Sequence, residues 1–203
     1  RTLVIFVSDN GAPLGYGGSN GTLGGSGYTT SEGGMRVPCI VRWPGRVPAG
    51  ETSNELCTMM DILPTFARLA GGKPPQDRII DGKDIWPLWA GMAGAKSPHE
   101  VFYYYMVDQI QAVRDGRWKL NLELDAQAGG GGARDEKRPR RLIDLSQDLQ
   151  EENDVSAQHP EVVQKLLGLA ELAREDLGDL GHTGAGQRPA GWVEHPTPRV
   201  LGE

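Results

Sequence analysis

The chain has little cysteine, no excess of positive charge and no long apolar run. Its two cysteines, Cys39 and Cys57, are too few for a disulfide framework, and we favour two thiols in the core over a single bridge. The net charge of −6 argues against an electrostatic grip on nucleic acid or anionic lipid. No apolar run approaches the ~20 residues of a membrane helix, and no signal-peptide pattern opens the chain. We therefore expect neither a nucleic-acid partner nor a membrane span.

Glycine is the residue that the chain has in excess. The 29 glycines among 203 residues are about twice the usual share of ~7%. Many of them lie in the glycine-rich loop, residues 12–34, between apolar runs at 2–7 and 36–43 that predict two short strands. The first run is of the kind buried on both faces, as in the parallel sheet of an α/β domain. Because connections this long without structure of their own are usually functional, we expect the loop to contribute to function.

The middle of the chain predicts a helix and then a small antiparallel sheet. Apolar residues at helical spacing predict a helix over residues 62–70 with Gly71 as its C-cap, followed by a linker over 73–99. The dipeptide Asp115-Gly116 between apolar runs is a strong hairpin signal. The predicted strands cover residues 101–107, 110–113, 118–124 and 142–145.

The end of the chain predicts a closing helix from Pro160 to about Leu177, since proline fits the first helical position. Residues 126–140, glycine followed by mixed charge, predict a mobile loop. We divide the chain into an α/β part (1–98), an antiparallel subdomain with its helix (99–180) and a Gly/Pro-rich tail (181–203).

The first strand ends in Ser8-Asp9-Asn10-Gly11, called here the Asp-Asn turn. Ligands of open α/β sheets gather at the carboxyl ends of strands. The carboxylate of Asp9 and the amide oxygen of Asn10 suit a hard cation such as Ca²⁺ or Mg²⁺. These residue types are equally common in ordinary turns, and two oxygens are fewer than the ~6 to 8 that Ca²⁺ takes. The four residues alone therefore leave a turn and a metal site both open.

The order of several motifs resembles the sulfatase family (type I, formylglycine-dependent, arylsulfatase-like). The Asp-Asn turn is followed by the glycine-rich loop, TTSEGGMRVP at residues 29–38 and VRWPG at 41–45. Later segments agree in order, and the resemblance spans about residues 2–192; they are MDILPTFARLAG (60–71), IIDGKDIWPL (79–88), AVRDGRWKL (112–120) and LIDLSQDLQEENDVSAQHPEVV (142–163). The turn alone is a weak signal, whereas the ordered set is specific.

The resemblance implies a fold, an activity and a metal. The expected fold is α/β, the C-terminal part of an alkaline-phosphatase-like sandwich followed by a small antiparallel sheet with a closing helix. The full enzyme would hydrolyse a sugar, steroid or aryl sulfate ester to an alcohol and sulfate. Asp9 and Asn10 would be ligands of a divalent metal, usually Ca²⁺, whose charge stabilises the sulfate oxygens. Relatives of this kind are commonly extracytoplasmic.

The sequence also departs from the family pattern. The family's formylglycine nucleophile comes from a C/S-x-P-x-R motif, which no cysteine or serine of this chain satisfies. We therefore expect a C-terminal fragment that is inactive by itself. A lysine that binds sulfate in the family falls on Gly27. Three explanations are open: the loop aligns differently with the family, another cation such as Arg36 contributes to sulfate binding, or the activity of this protein is impaired. For Arg36 itself a structural role, with packing near Glu32, is favoured.

Other polar residues receive structural interpretations. For Glu32 a loop-stabilising role is favoured over acid–base catalysis, because no partner is placed near it in sequence. Capping and surface roles are favoured for His99 and His159, and neither His182 nor His195 has the spacing of a metal ligand. The alternative functions are a pseudoenzyme or binding module of the same fold and a related metal-dependent phosphohydrolase. The latter is weaker because two-metal relatives commonly have His where Asn10 stands.

Overall fold

An antiparallel ribbon begins the fold in the computed structural model, which describes residues 2–125, 137–189 and 191–197. Strand β1 (Val4–Val7) pairs with β2 (Cys39–Arg42), and Phe6 lies opposite Ile40. On the face that they share, Phe6 is 64% and Ile40 62% exposed. Both predicted strands are present, but the expected burial on both faces beside parallel partners is wrong in the described part of the chain. An apolar run in the sequence indicates that a strand can be buried. It does not indicate which residues would pack against that strand.

The predicted helix after the ribbon is confirmed. A short 3₁₀ turn (Met59–Asp61) leads into α2 (Ile62–Leu69), with the buried Pro64 in its first turn. Gly71 follows at φ 77° and its N–H donates to the carbonyl of Arg68. A left-handed residue of this kind ends many helices, and glycine adopts it without a steric penalty. Two four-residue helices, α1 (Glu32–Met35) and α3 (Trp86–Trp89), lie in the glycine-rich loop and in the linker.

The second half of the chain forms a four-stranded antiparallel sheet in the order β3–β4–β5–β6. The strands are β3 (Val101–Met106), β4 (Gln109–Asp115), β5 (Trp118–Asn121) and β6 (Arg141–Asp144). Asp115 pairs with Trp118, and Gly116 has φ 56°, as the predicted hairpin requires. The predicted loop over 126–140 lies mostly outside the described residues, but the backbone of Arg138 exchanges hydrogen bonds with that of Leu124.

Helix α4 (Pro160–Leu177) covers one face of this sheet. Leu166 is fully buried and belongs to one apolar core with Leu120 and Leu142 from the strands. After the helix, β7 (Gly178–Asp179) pairs with β8 (His182–Thr183), and the second of these short strands lies within the predicted tail. In the described ranges no helix is both long enough and apolar enough to cross a membrane.

Replacement of Leu166 by alanine tests this core. We expect the Leu166→Ala change to lower the free energy of unfolding by ~3 kcal/mol, since it removes a fully buried side chain and leaves a cavity. Leu172→Ala is the matched control, because Leu172 lies on the same helix and is 57% exposed. Its effect should stay within ~0.5 kcal/mol. Urea denaturation measures both, and equal losses would contradict the assigned core.

Candidate functional site

The Asp-Asn turn lies directly after β1 and is closed by its own hydrogen bonds. The Asn10 N–H donates to Asp9 Oδ1 at 2.9 Å, and Asn10 Nδ2 donates to the Gly11 carbonyl at 2.8 Å. Ser8 Oγ donates to the Asn10 carbonyl at 2.9 Å. Within the described residues, Asp9 Oδ2 and Asn10 Oδ1 accept no hydrogen bond, so one oxygen of each side chain is available to a cation.

These two oxygens form only part of a coordination sphere. No group of three or more His, Cys, Asp or Glu side chains with metal-binding geometry occurs in the part of the chain that the structure describes. Ca²⁺ takes ~6 to 8 oxygen ligands, so a protein site needs further donors besides Asp9 and Asn10. The donor types fit a hard cation, and the ligand roles of the two residues stay predictions.

The glycine-rich loop packs against the Asp-Asn turn through main-chain hydrogen bonds. The Gly11 N–H donates to the Gly34 carbonyl and the Gly27 N–H to the Ala12 carbonyl, both at 2.9 Å. Asn20 fixes the same segment: its Oδ1 accepts from the Ala12 N–H at 2.7 Å and its Nδ2 donates to the Ala12 carbonyl at 3.0 Å. Sequence reasoning did not single out Asn20, although an asparagine among glycines is a signal for side-chain bonding to the backbone.

Gly27, where the family resemblance places a lysine, is buried against the backbone before it. A Cβ built there would lie 2.2 Å from the Gly11 carbonyl oxygen and 3.0 Å from the Pro13 nitrogen. No side chain fits at position 27 unless the backbone moves. This loop conformation therefore requires glycine at position 27.

Arg36, the other cation considered for that role, is exposed, and its main-chain N–H donates to the Glu32 carbonyl at 2.8 Å. Within the described residues its side chain forms no ion pair with Glu32, whose carboxylate binds Arg114 and Lys119 from the sheet. Its part in sulfate binding stays a prediction.

A buried ion cluster of Glu32, Arg114, Lys119 and Glu151 lies between the glycine-rich loop and the sheet. Lys119 Nζ is 3.2 Å from Glu32 Oε1 and 2.8 Å from Glu151 Oε1, and Arg114 Nη1 is 3.6 Å from Glu32 Oε2. Lys119 is fully buried and Glu32 is 1% exposed. The loop-stabilising role predicted for Glu32 is confirmed.

Tyr104 completes the surroundings of Glu32. Its hydroxyl donates to Glu32 Oε1 at 2.9 Å, and its ring lies 4.3 Å from Lys119 Nζ. Burial, and then the charge of Glu32, raise the pKa of Tyr104 well above its usual range. The phenol therefore remains a donor to the carboxylate. Sequence reasoning missed Lys119, although a lysine between Trp118 and Leu120 in a predicted strand was a signal.

His99 is a structural residue in the interior. Its Nε2 lies 2.7 Å from Oδ1 of the fully buried Asp61, which also accepts hydrogen bonds from the N–H groups of Lys83 and Thr58. The surface role expected for His99 is wrong, because its side chain is only 7% exposed. His159 precedes α4 as expected, with its ring 4.7 Å from that of Trp118.

The two cysteines are free and exposed. The expectation of two thiols in the core is therefore wrong as to burial, while a bridge is absent as favoured. Desolvation of the sulfur, and then the charge of Asp61, raise the pKa of Cys57 to about 11. At neutral pH this thiol is uncharged and a poor nucleophile.

Comparison with known proteins confirms the family predicted from the motifs. Residues 1–72 match the family model described as Sulfatase. N-acetylgalactosamine-6-sulfatase of Canis lupus familiaris is 46% identical over 126 residues, which are 60% of this chain and 24% of that protein. Steryl-sulfatase of Mus musculus is 47% identical over 122 residues, 56% of this chain and 19% of that protein. The chain is thus similar to sulfatases over more than half of its own length, and it spans about a quarter or less of the length of these relatives.

Solved structures confirm the fold class. The PsFucS1 sulfatase from Pseudoalteromonas sp. superposes with a TM-score of 0.70 at 25% identity, over 84% of this chain and 36% of that one. The match covers 84% of the chain and therefore extends well beyond residues 1–72, so most of the chain shares the fold of sulfatases.

Replacement of Gly27 by alanine tests the close packing of the loop. We expect Gly27→Ala to lower the free energy of unfolding by ~1 to 3 kcal/mol, because its Cβ would overlap the Gly11 carbonyl. Gly15→Ala is the control, since a Cβ there meets nothing within 4 Å. Differential scanning calorimetry compares the two variants. A Gly27→Ala protein as stable as the Gly15→Ala protein would show that the loop has another conformation.

Proposed function

We propose that this chain forms part of a sulfuric ester hydrolase of the arylsulfatase-like kind, which cleaves a sulfate ester to an alcohol and sulfate. The observation that carries the proposal is the Asp-Asn turn at the end of β1, with the glycine-rich loop folded onto it, in a chain whose relatives are named sulfatases. The names of those relatives include a sugar sulfatase and a steroid sulfatase, so the substrate class proposed here is a sulfate ester without further detail.

Asp9 and Asn10 are the proposed metal ligands. The Asn10 amide supports this role, because its Nδ2 is occupied by the Gly11 carbonyl and its Oδ1 is thereby the atom left for a cation. A bound divalent cation, Ca²⁺ in this proposal, would supply positive charge for the sulfate oxygens. The main-chain bond between Gly11 and Gly34 supports the orientation of both side chains.

The nucleophile must come from residues outside this sequence. None of its cysteines or serines stands in a C/S-x-P-x-R motif, and the pKa of Cys57 disfavours direct nucleophilic attack by that thiol. The proposed formylglycine would therefore meet the Asp-Asn turn only in a longer protein.

A binding module of the sulfatase fold is the second candidate, and Gly27 favours it. An active sulfatase of this family is expected to have a cation where this loop admits no side chain. Loss of one preorganised charged group commonly costs about 10²-fold or more in rate, so the loop geometry weakens the catalytic proposal without removing its other support.

The proposal is tested on two proteins, this chain alone and the complete protein encoded by its gene. The chain alone should release no sulfate from 4-nitrophenyl sulfate with Ca²⁺, whereas the complete protein should turn it over at an enzymatic rate of ~1 s⁻¹ or more. Asp9→Ala in the complete protein should reduce kcat/KM by about 10²-fold or more. Turnover by the chain alone would overturn the expected inactivity, and an inert complete protein would select the binding module.

Metal binding by the chain alone gives a separate prediction. Calorimetric titration should find a Kd for Ca²⁺ no tighter than ~10⁻⁴ M, because the Asp-Asn turn provides few ligands. Asp9→Ala should remove that weak binding, and Asp108→Ala, at an exposed aspartate in the β3–β4 turn, should leave it unchanged. Micromolar binding that Asp9→Ala abolishes would mean that the site is complete within this chain.

A further inference from the structure

The ammonium group of Lys119 has three acceptors, which come from two other segments of the chain. Its three N–H donors match three acceptors: the Thr30 carbonyl at 2.8 Å, Glu32 Oε1 at 3.2 Å and Glu151 Oε1 at 2.8 Å. Thr30 and Glu32 lie in the glycine-rich loop, and Glu151 lies after β6. Because Lys119 is fully buried on β5, any movement of the loop away from the sheet would leave a charge without partners in the interior.

Glu151 connects the same segments through both its side chain and its main chain. Its Oε2 accepts from the Glu32 N–H at 2.6 Å, and its carbonyl accepts from Arg141 Nη2 at 2.9 Å. Its φ is 59°, a left-handed conformation that is uncommon for residues other than glycine. Such a conformation persists where surrounding interactions hold it, and it frequently accompanies a functional constraint.

The ion cluster is linked to the Asp-Asn turn by consecutive main-chain bonds. The Gly24 N–H donates to the Leu149 carbonyl at 2.9 Å, and the Gly33 N–H donates to the Gly24 carbonyl at 2.7 Å. The carbonyl of Gly34, next in the chain, then accepts from the Gly11 N–H at 2.9 Å. The backbones are so close that a Cβ on Gly33 would lie 2.5 Å from the Gly24 oxygen. These bonds form a continuous main-chain connection between the cluster and Gly11.

We propose that Lys119 and Glu151 are positioning residues for the Asp-Asn turn, which they orient through Glu32 and the glycine-rich loop. The identity of the ligand at that turn rests on the proposed function. The positioning itself does not, because it concerns the order of the loop in the absence of metal and substrate.

Hydrogen exchange of the chain without metal tests the proposal in Lys119→Met and Glu151→Gln. Protection of the amides of Gly11, Gly24 and Gly33 should fall at least about tenfold in both variants, since each leaves a buried charge of the cluster without its partner. Lys96→Met is the matched control for a lysine change, because Lys96 is 79% exposed and its ion pair among the described residues is with Glu55. It should leave those amides unchanged.

A second control separates positioning from general loss of stability. Leu166→Ala weakens the core on the opposite face of the sheet, so it should reduce protection in α4 without the selective loss at Gly11, Gly24 and Gly33. The double variant Lys119→Met/Glu151→Gln should recover part of the loop protection lost in Lys119→Met, because it removes the charge of one of the two carboxylates that Lys119 otherwise binds. If Lys119 contributed only by the packing of its side chain, and not by its charge, the double variant would show no such recovery.

Each result decides the proposal. Unchanged loop protection in Glu151→Gln would overturn it, and this milder variant decides the matter if Lys119→Met does not fold. Selective loss with recovery in the double variant would support it. If the loop loosens as expected while the complete protein hydrolyses no sulfate ester, the proposed function fails and the positioning role stands.

Discussion

The packing of the glycine-rich loop against the four-stranded sheet depends on the burial of the Lys119 ammonium group. An isolated charge in the interior is strongly unfavourable, and its desolvation is offset only when every donor has a partner. Here the partners come from the glycine-rich loop and from the segment after β6, so the charge is satisfied only when both segments are in place. The sheet is therefore covered on two faces. Successive residues of β5 point in opposite directions, Leu120 into the core beneath α4 and Lys119 toward the loop.

The close packing of the loop on the sheet explains why the loop contains so many glycines. A Cβ at several loop positions would lie less than 3 Å from a main-chain oxygen; these positions are Gly24, Gly27, Gly33 and Gly34. Glycine here permits close approach of one backbone to another, and the consequence is a loop fixed by many short-range contacts. The same packing leaves no room for a side chain at Gly27, the position at which the family resemblance predicts a lysine. A side chain introduced there would require the segment around Ala12 to move.

Local signals in the sequence predicted the elements that local interactions determine. The hairpin at Asp115-Gly116, helix α2 with Gly71 after it and helix α4 from Pro160 were all predicted within a few residues of their observed bounds. The partner of β1 was not predictable in this way, because strand pairing is decided by residues far apart in sequence. Burial of Lys119 and His99 was missed for a related reason. A charged side chain is ordinarily solvated, and only the three-dimensional arrangement shows that Glu32, Glu151 and Asp61 receive it.

The Asp-Asn turn is held by hydrogen bonds on the side of the glycine-rich loop, and the strand pair that precedes it is exposed. The Asp-Asn turn is held from the loop by the bond between Gly11 and Gly34, whereas the ribbon that leads into it exposes Phe6 and Ile40. A strand pair with few buried contacts opens more readily than a packed sheet, so ligands at its end are less well preorganised. The weak metal binding that we predict for this chain would thus have two causes, too few oxygens and an incompletely covered strand. Residues that covered the ribbon would improve the site even if they added no ligand, since they would fix the direction in which Asp9 and Asn10 point.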